Sequence, residues 1–172
     1  MDSEEEKEIY ARFGLAFYLV NCLEHHIANV MCCIEVMPRM DKCGDRIEWE
    51  NLIDKHFDKS FDETFGRLKA RLSEYSKIFP AILVIIPDLE KCVEERNFLA
   101  HHFYREYAQH WFSVKGRQEM IKRLEVAYDL FDLTSKKLDS SMEPLMEKYA
   151  LTESAVEEMY NKMKAEAESY NG

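Results

Sequence analysis

Only five glycines and four prolines punctuate 172 residues. That scarcity constrains the fold more than any other feature, because glycine and proline are where helices weaken or stop. The stretches between them carry apolar residues at steps of three and four, the helical period. In the first, running from Glu4 to Met37, Ile9, Phe13, Phe17, Val20, Leu23, Ile27, Val30, Met31 and Ile34 follow that spacing. Pro38 and "DKCGD" close it. A short helix is predicted over "IEWENLIDKHF". Ser60 with Glu63 reads as a capping box that opens a helix over "DETFGRLKARLSEYSKIF", which Pro80 breaks. Pro87 is predicted in the first turn of the next helix, and "DLEKCVEERNFLAHHFYREYAQHWF" continues it to Phe112. Ser113 caps a fourth long pattern, which Pro144 ends or kinks. The tail from Thr152 reads as a short charged helix with Val156, Met159, Tyr160 and Met163 on one side. No strand alternation, hairpin dipeptide or internal repeat occurs. The predicted fold is an all-α antiparallel bundle of four to five helices. It forms a single domain over 1–172, with an irregular excursion near 38–60 and a C-terminal helix near 152–169.

The apolar share of 47% fits a folded chain. A net charge of -10 speaks against broad, non-specific binding of nucleic acid. The charge is uneven, however. Between Lys91 and Arg123, seven basic residues face four acidic ones, so a local anion site on an acidic protein is open. Five cysteines without a CxxC pair suggest reduced packing residues and a cytoplasmic setting. "MDSEEEKE" has the wrong sign for a signal peptide. The longest apolar run, "FPAILVIIP", is about half of what a bilayer needs, so no membrane partner is expected. No P-loop or GxSxG motif occurs.

The stretch that carries chemistry is "EERNFLAHHFYRE", residues 94–106. At about 100° per residue along one helix, Arg96 falls in the middle of the apolar stripe made by Leu89, Cys92, Val93, Ala100, Phe103, Tyr107 and Trp111. A guanidinium keeps its charge inside a protein, so it needs a carboxylate partner, a bound anion or a wet cleft. Asn97, His101 and Tyr104 form a polar flank beside it. His102 turns toward Glu95 and Glu106, and Glu106 is spaced to hold it as a cation. An arginine for phosphate oxygens and a histidine for proton transfer suit cleavage of RNA by its own 2′-hydroxyl, which needs no metal. One helix supplies one such flank, so a homodimer with a shared cleft is attractive.

"RNFLAHH" resembles the signature of the HEPN superfamily, an arginine and a polar residue followed after four to six residues by a histidine. Arg96, Asn97 and His101 match it with four intervening residues, and His102 with five. The resemblance implies an all-α bundle with the motif on a late helix. It further implies a metal-independent endoribonuclease active as a dimer in toxin–antitoxin or antiphage-defence systems, or a relative that has lost catalysis and serves as a scaffold. On this reading Arg96 binds the scissile phosphate and His101 is the acid or base, with His102 as second choice. Asn97, Tyr104 and Arg105 bind or orient the substrate. The partners are RNA, a second copy and an antitoxin or regulatory protein. No cofactor is implied. A subgroup carries a tyrosine two residues after its histidine; that position is Phe103 after His101 and Tyr104 after His102.

Two other constellations in the sequence carry chemical groups. His25 and His26 beside Glu24 could approach His101 or His102 and hold a metal, although the Glu-x-x-His spacing of di-iron bundles is absent. Glu24 is also a candidate acid to pair with Arg96. The aromatic set Phe103, Tyr104, Tyr107, Trp111 and Phe112 could stack bases, but at helical spacing it reads more readily as core or dimer interface.

Overall fold

The computed structural model describes residues 4–149 and 153–169. Among the described residues every regular element is helical, with no strand. The α-helices are α1 (Glu4–Glu35), α2 (Arg46–Phe61), α3 (Phe65–Glu74), α4 (Ile82–His101), α5 (Phe103–Glu106), α6 (Val114–Lys148) and α7 (Glu153–Ser169). Short 3₁₀ turns cover Met37–Lys42, Tyr75–Lys77 and His110–Phe112. Contacts divide the chain into two compact units, Met1–Ser141 and Met142–Gly172.

In the first unit, α1 presents Ile9, Ala16, Val20, Leu23, Ile27 and Met31 to the core. That is the helical spacing read from the sequence. Opposite lie Ile85, Leu89, Cys92 and Leu99 of α4, Leu68 and Leu72 of α3, and Leu124, Phe131 and Leu138 of α6. Side-chain pairs set the directions. Phe13 meets Phe103 and Glu24 faces Arg96, so α1 and α4 run antiparallel. Arg12 reaches Glu125 and His26 reaches Asp139, so α1 and α6 run parallel. Asp88 with Lys137 and Glu95 with Arg123 tie α4 to an antiparallel α6, and the Arg123 guanidinium also lies 4.7 Å over the Phe98 ring.

The stretch near 38–60 is irregular only at its start, since α2 begins at Arg46. Its cap is Asp45, whose carboxylate accepts from Glu48 N while Glu48 accepts from Gly44 N. This resembles a capping box with the returning bond made to the residue before the cap, and it lies fifteen residues before the Ser60–Glu63 pair that the sequence suggested. Ser60 instead sits inside α2, where its hydroxyl donates to the His56 carbonyl and accepts from Arg71 at 2.7 Å. Glu63 accepts from Arg71 at 2.7 Å, and Glu35 faces Arg71 and His56 while accepting from the Tyr75 hydroxyl. A tertiary charge cluster joining α1, α2 and α3 therefore claims the residues that local spacing assigned to a cap.

Both interior prolines are absorbed. Pro87 lies in the body of α4 rather than in its first turn, and Pro144 lies within α6, which continues to Lys148. Each deletes a backbone donor. The carbonyls left without a partner belong to Leu83 and Ser140, both on exposed residues, so water can serve them. In the second unit, Met142 and Leu145 of α6 are buried and Tyr160 of α7 is exposed. The predicted apolar side of the tail also involved Val156, Met159 and Met163, whose side chains, like Thr152 itself, lie outside the described residues.

Candidate functional site

Leu89, Cys92 and Leu99 bury one arc of α4, and Arg96 falls on that arc. Its side chain is nevertheless 34% exposed, because two things replace apolar neighbours there. Glu24 of α1 places Oε1 3.7 Å from Arg96 Nε. On another side a cavity of about 250 Å³ opens, lined by Thr64, Phe65 and Gly66 at the start of α3 and by Val93, Arg96 and Asn97 of α4. The inward-facing arginine of the sequence reading is thus a partly exposed one, with a carboxylate and an open notch both present. Ala100, predicted on the same stripe, is exposed.

The Arg96–Glu24 contact is too long for a hydrogen bond. Arg96 Nη1 makes one long bond, 3.4 Å, to Asn97 Oδ1. Glu24 is only 19% exposed, and its Oε1 is buried without a hydrogen-bond partner. Burial pushes the Glu24 carboxyl above its ordinary value, with Arg96 and then His25 pulling the other way.

Asn97 and His101 are exposed on successive turns of α4, as the angular reading placed them. His102 is exposed next to His101, the two rings 6.3 Å apart and nearly perpendicular. Neither imidazole has a hydrogen-bond or ion-pair partner among the described residues. The predicted hold on His102 by Glu106 is not formed. Glu95 is drawn to Arg123 at 2.6 Å, a charge-assisted bond to the facing helix.

The helix does not continue to Phe112. It stops at His101, and His102 has φ -124° and ψ -30°. Residues 102–113 are needed to reverse the chain, since α6 returns antiparallel to α4, and an uninterrupted helix leaves nothing to make that turn. The consequence falls on the predicted set. Tyr104 no longer shares a helical flank with Asn97 and His101, because it belongs to α5 and leans on Phe13 of α1 with ring centroids 5.1 Å apart. It is 43% exposed, and its hydroxyl is pushed up by burial and then by Tyr10. Arg105 is exposed on α5. Among the aromatic set, Phe103 is buried between Phe13, Phe98 and Tyr107, Trp111 packs on Tyr10, and Phe112 is 85% exposed. Phe103 is thus core, and only Tyr104 and Phe112 stand well out from the surface.

The second histidine pair does not join the first. His25 packs on Phe61 of α2, while His26 faces Ser135 and Asp139 of α6, where burial lowers its pKa against the pull of Asp139. No group of three His, Cys, Asp or Glu side chains suited to a metal occurs among the described residues. Sequence reasoning missed the wall supplied by Thr64, Phe65 and Gly66. Nothing in their spacing to Arg96 announces it, because the α3–α4 pairing alone brings them there. No helix of the described residues is long and apolar enough to cross a membrane. No family model, curated protein or solved structure matches this chain.

Proposed function

We propose that the Arg96–His101 face of α4 is the active site of a HEPN-type endoribonuclease. It cleaves RNA without a metal, by attack of the 2′-hydroxyl on the adjacent phosphate. The observation that carries this reading is a set of chemical groups the fold does not consume. Two exposed imidazoles make no hydrogen bond or ion pair, and one to two turns earlier in the chain stands an arginine most of whose donors are uncommitted. Arg96 and His101 are five residues apart on one helix, a rise of about 7.5 Å and a turn of about 140°, so a strand of RNA laid across the end of α4 would bring a phosphate to one and a reacting hydroxyl to the other. Arg96 stabilises the charge that builds on the phosphoryl oxygens. His101 removes or returns the proton, His102 is its alternative, and Asn97, Tyr104 and Arg105 line the approach.

Two protonation roles, base and acid, call for two imidazoles placed on opposite sides of the phosphate. A second copy of α4 across a two-fold axis supplies the other set. The helices then form a HEPN-like bundle whose exposed motif face is a dimer cleft. The setting is cytosolic, and the biological role that of a toxin or defence effector restrained by an antitoxin or regulatory protein. The rival is a catalytically silent HEPN-like interaction protein. It is favoured by the overall charge of -10 and by the carboxylate that already faces Arg96.

The test is incubation of purified protein with RNA in EDTA. The nuclease reading expects cleavage leaving 2′,3′-cyclic phosphate ends, a loss of about a hundredfold or more in Arg96→Ala and His101→Ala, and a dimer in sedimentation. Equal cleavage by parent and both variants refutes the site. RNA left uncut under all conditions favours the rival.

A further inference from the structure

Glu24 reaches the proposed site from α1, and as an ion-pair partner it is incomplete. A carboxylate that pairs fully with an arginine makes at least one short charge-assisted hydrogen bond, as Glu95 does with Arg123 at 2.6 Å. Here Arg96 Nε stands 3.7 Å from Glu24 Oε1, and that oxygen is buried with no hydrogen bond at all. The guanidinium has five N–H donors, and its one hydrogen bond is the long contact to Asn97. Its other exposure is toward the cavity walled by Thr64, Phe65 and Gly66. Arg96 is therefore oriented by Glu24 while its donors stay available on the cavity side.

An anion entering that cavity puts two negative groups on one guanidinium. The cheapest relief is for one of them to take a proton. The candidate is the buried carboxyl, already displaced toward its neutral form by burial, rather than a solvated oxyanion. The charged groups that act most on Glu24 are Arg96 from α4 and, after it, His25 on its own helix. We infer that Glu24 is a positioning residue for Arg96 that releases it to an incoming tetrahedral oxyanion, taking one proton from solvent onto its carboxylate as that anion binds. The inference rests on reading Arg96 as the phosphate ligand of the proposed site, and it adds the residue on α1 that aims it and couples binding to protons.

Sulfate is the suitable probe, a tetrahedral dianion that does not itself titrate near neutrality. The readout is the Nε–Hε NMR signal of Arg96 during sulfate titration of the full chain, between about pH 5 and about pH 8. In the parent, affinity rises as the pH falls. Glu24→Gln, a neutral isostere, binds about three- to tenfold more tightly than the parent at the upper end and loses most of the pH dependence. His25→Gln keeps the parent's profile, and parent and Glu24→Gln are both compared in a His101→Gln, His102→Gln background, so that no imidazole in or beside the proposed site supplies the pH dependence. In the unmodified protein, adding sulfate near neutral pH shifts the Glu24 carboxyl carbon toward its protonated position, a readout that no folding defect in a variant can imitate. Parallel pH profiles in parent and Glu24→Gln, or a carboxyl carbon that ignores sulfate, overturn the inference, as does an Arg96 signal that sulfate never moves. RNA left uncut in EDTA while sulfate still couples to Glu24 sinks the nuclease reading alone. RNA cut by a protein in which parent and Glu24→Gln bind sulfate alike sinks Glu24's role alone.

Discussion

Gly14 and Gly116 are both helical glycines, and their surroundings oppose each other. A Cβ on Gly14 of α1 meets nothing within 4 Å, so this glycine serves no packing need in the chain itself. A Cβ on Gly116, in the first turn of α6, would overlap the backbone of His110, coming within 2.6 Å of its Cα. The reversal after α4 folds down onto α6 at that point, and Arg117 fastens it by donating to the Trp111 carbonyl at 3.0 Å. Gly14→Ala is expected to raise stability by about 0.5–1 kcal/mol, the ordinary gain of removing glycine from a helix interior. Gly116→Ala is expected to lower it by about 1–3 kcal/mol, because backbone must move. Urea unfolding of the two variants checks both signs. Equal effects would mean the reversal does not press on α6 as described. The sequence marked both as glycines in helical patterns and could not tell them apart, since the neighbour that matters to Gly116 is decided by the path of the loop.

At the scale of the element, α4 shows how one helix serves both packing and chemistry. Its buried arc holds the core, its Glu95 and Asp88 engage α6, and its remaining surface carries Asn97 and His101 into solvent. Asp88 is the acid-sensitive pin. The hydrogen bond from Lys137 holds its carboxyl below the ordinary value, against the upward push of burial, and Lys91 helps. A carboxylate depressed in the folded state contributes stability that is present above its unfolded value, and loses it as the pH falls through the folded one. The contribution is therefore complete at neutral pH and disappears below about pH 4. Asp88→Asn should destabilise the protein at neutral pH and flatten the acid limb of the stability curve, with little difference from the parent at the acid extreme. Thermal melts at a series of pH values measure it; an unchanged acid limb would show that Lys137 and Asp88 do not hold α4 to α6 in solution. The end of α4 was the element boundary least visible in the sequence. Neither glycine nor proline stands at His102, so periodicity ran on to Phe112. The tight return to α6 sets the break.

For the whole molecule, the cysteines report on global opening. Cys22 is exposed, Cys33 and Cys43 are half-buried, and Cys32 and Cys92 are buried. Burial pushes Cys32 and Cys92 up to about 11, so both are thiols at neutral pH. A thiol reagent at neutral pH should modify Cys22 rapidly. Cys32 and Cys92 should react only at the rate at which the core opens, and denaturant should abolish the difference. Mass spectrometry of peptides during labelling gives the order; early modification of Cys92 would contradict its place between α4 and Thr134 of α6. An assembly of two copies through the α4 face leaves Cys92 protected, so this measurement reads the fold of the single chain whatever its oligomeric state.

The helical class, the principal helices and the spacing of the buried face of α1 were determined by the sequence alone, because helical periodicity is local and few glycines or prolines interrupt it. Asn97 and His101 on one flank of α4 belong here too, since a single intact helix fixes that angle. What only the tertiary structure decided are relations between elements that no local spacing encodes. Arg71 drew Ser60 and Glu63 away from a cap. Arg123 of the facing helix took Glu95 as its partner. The antiparallel return of α6 ended α4 early and carried Tyr104 onto Phe13. The packing of α1 and α3 against α4 gave Arg96 a carboxylate on one side and an open cavity on the other. In each case an ion pair, a ring contact or a chain reversal between distant residues outweighed a local preference of a kcal/mol or so.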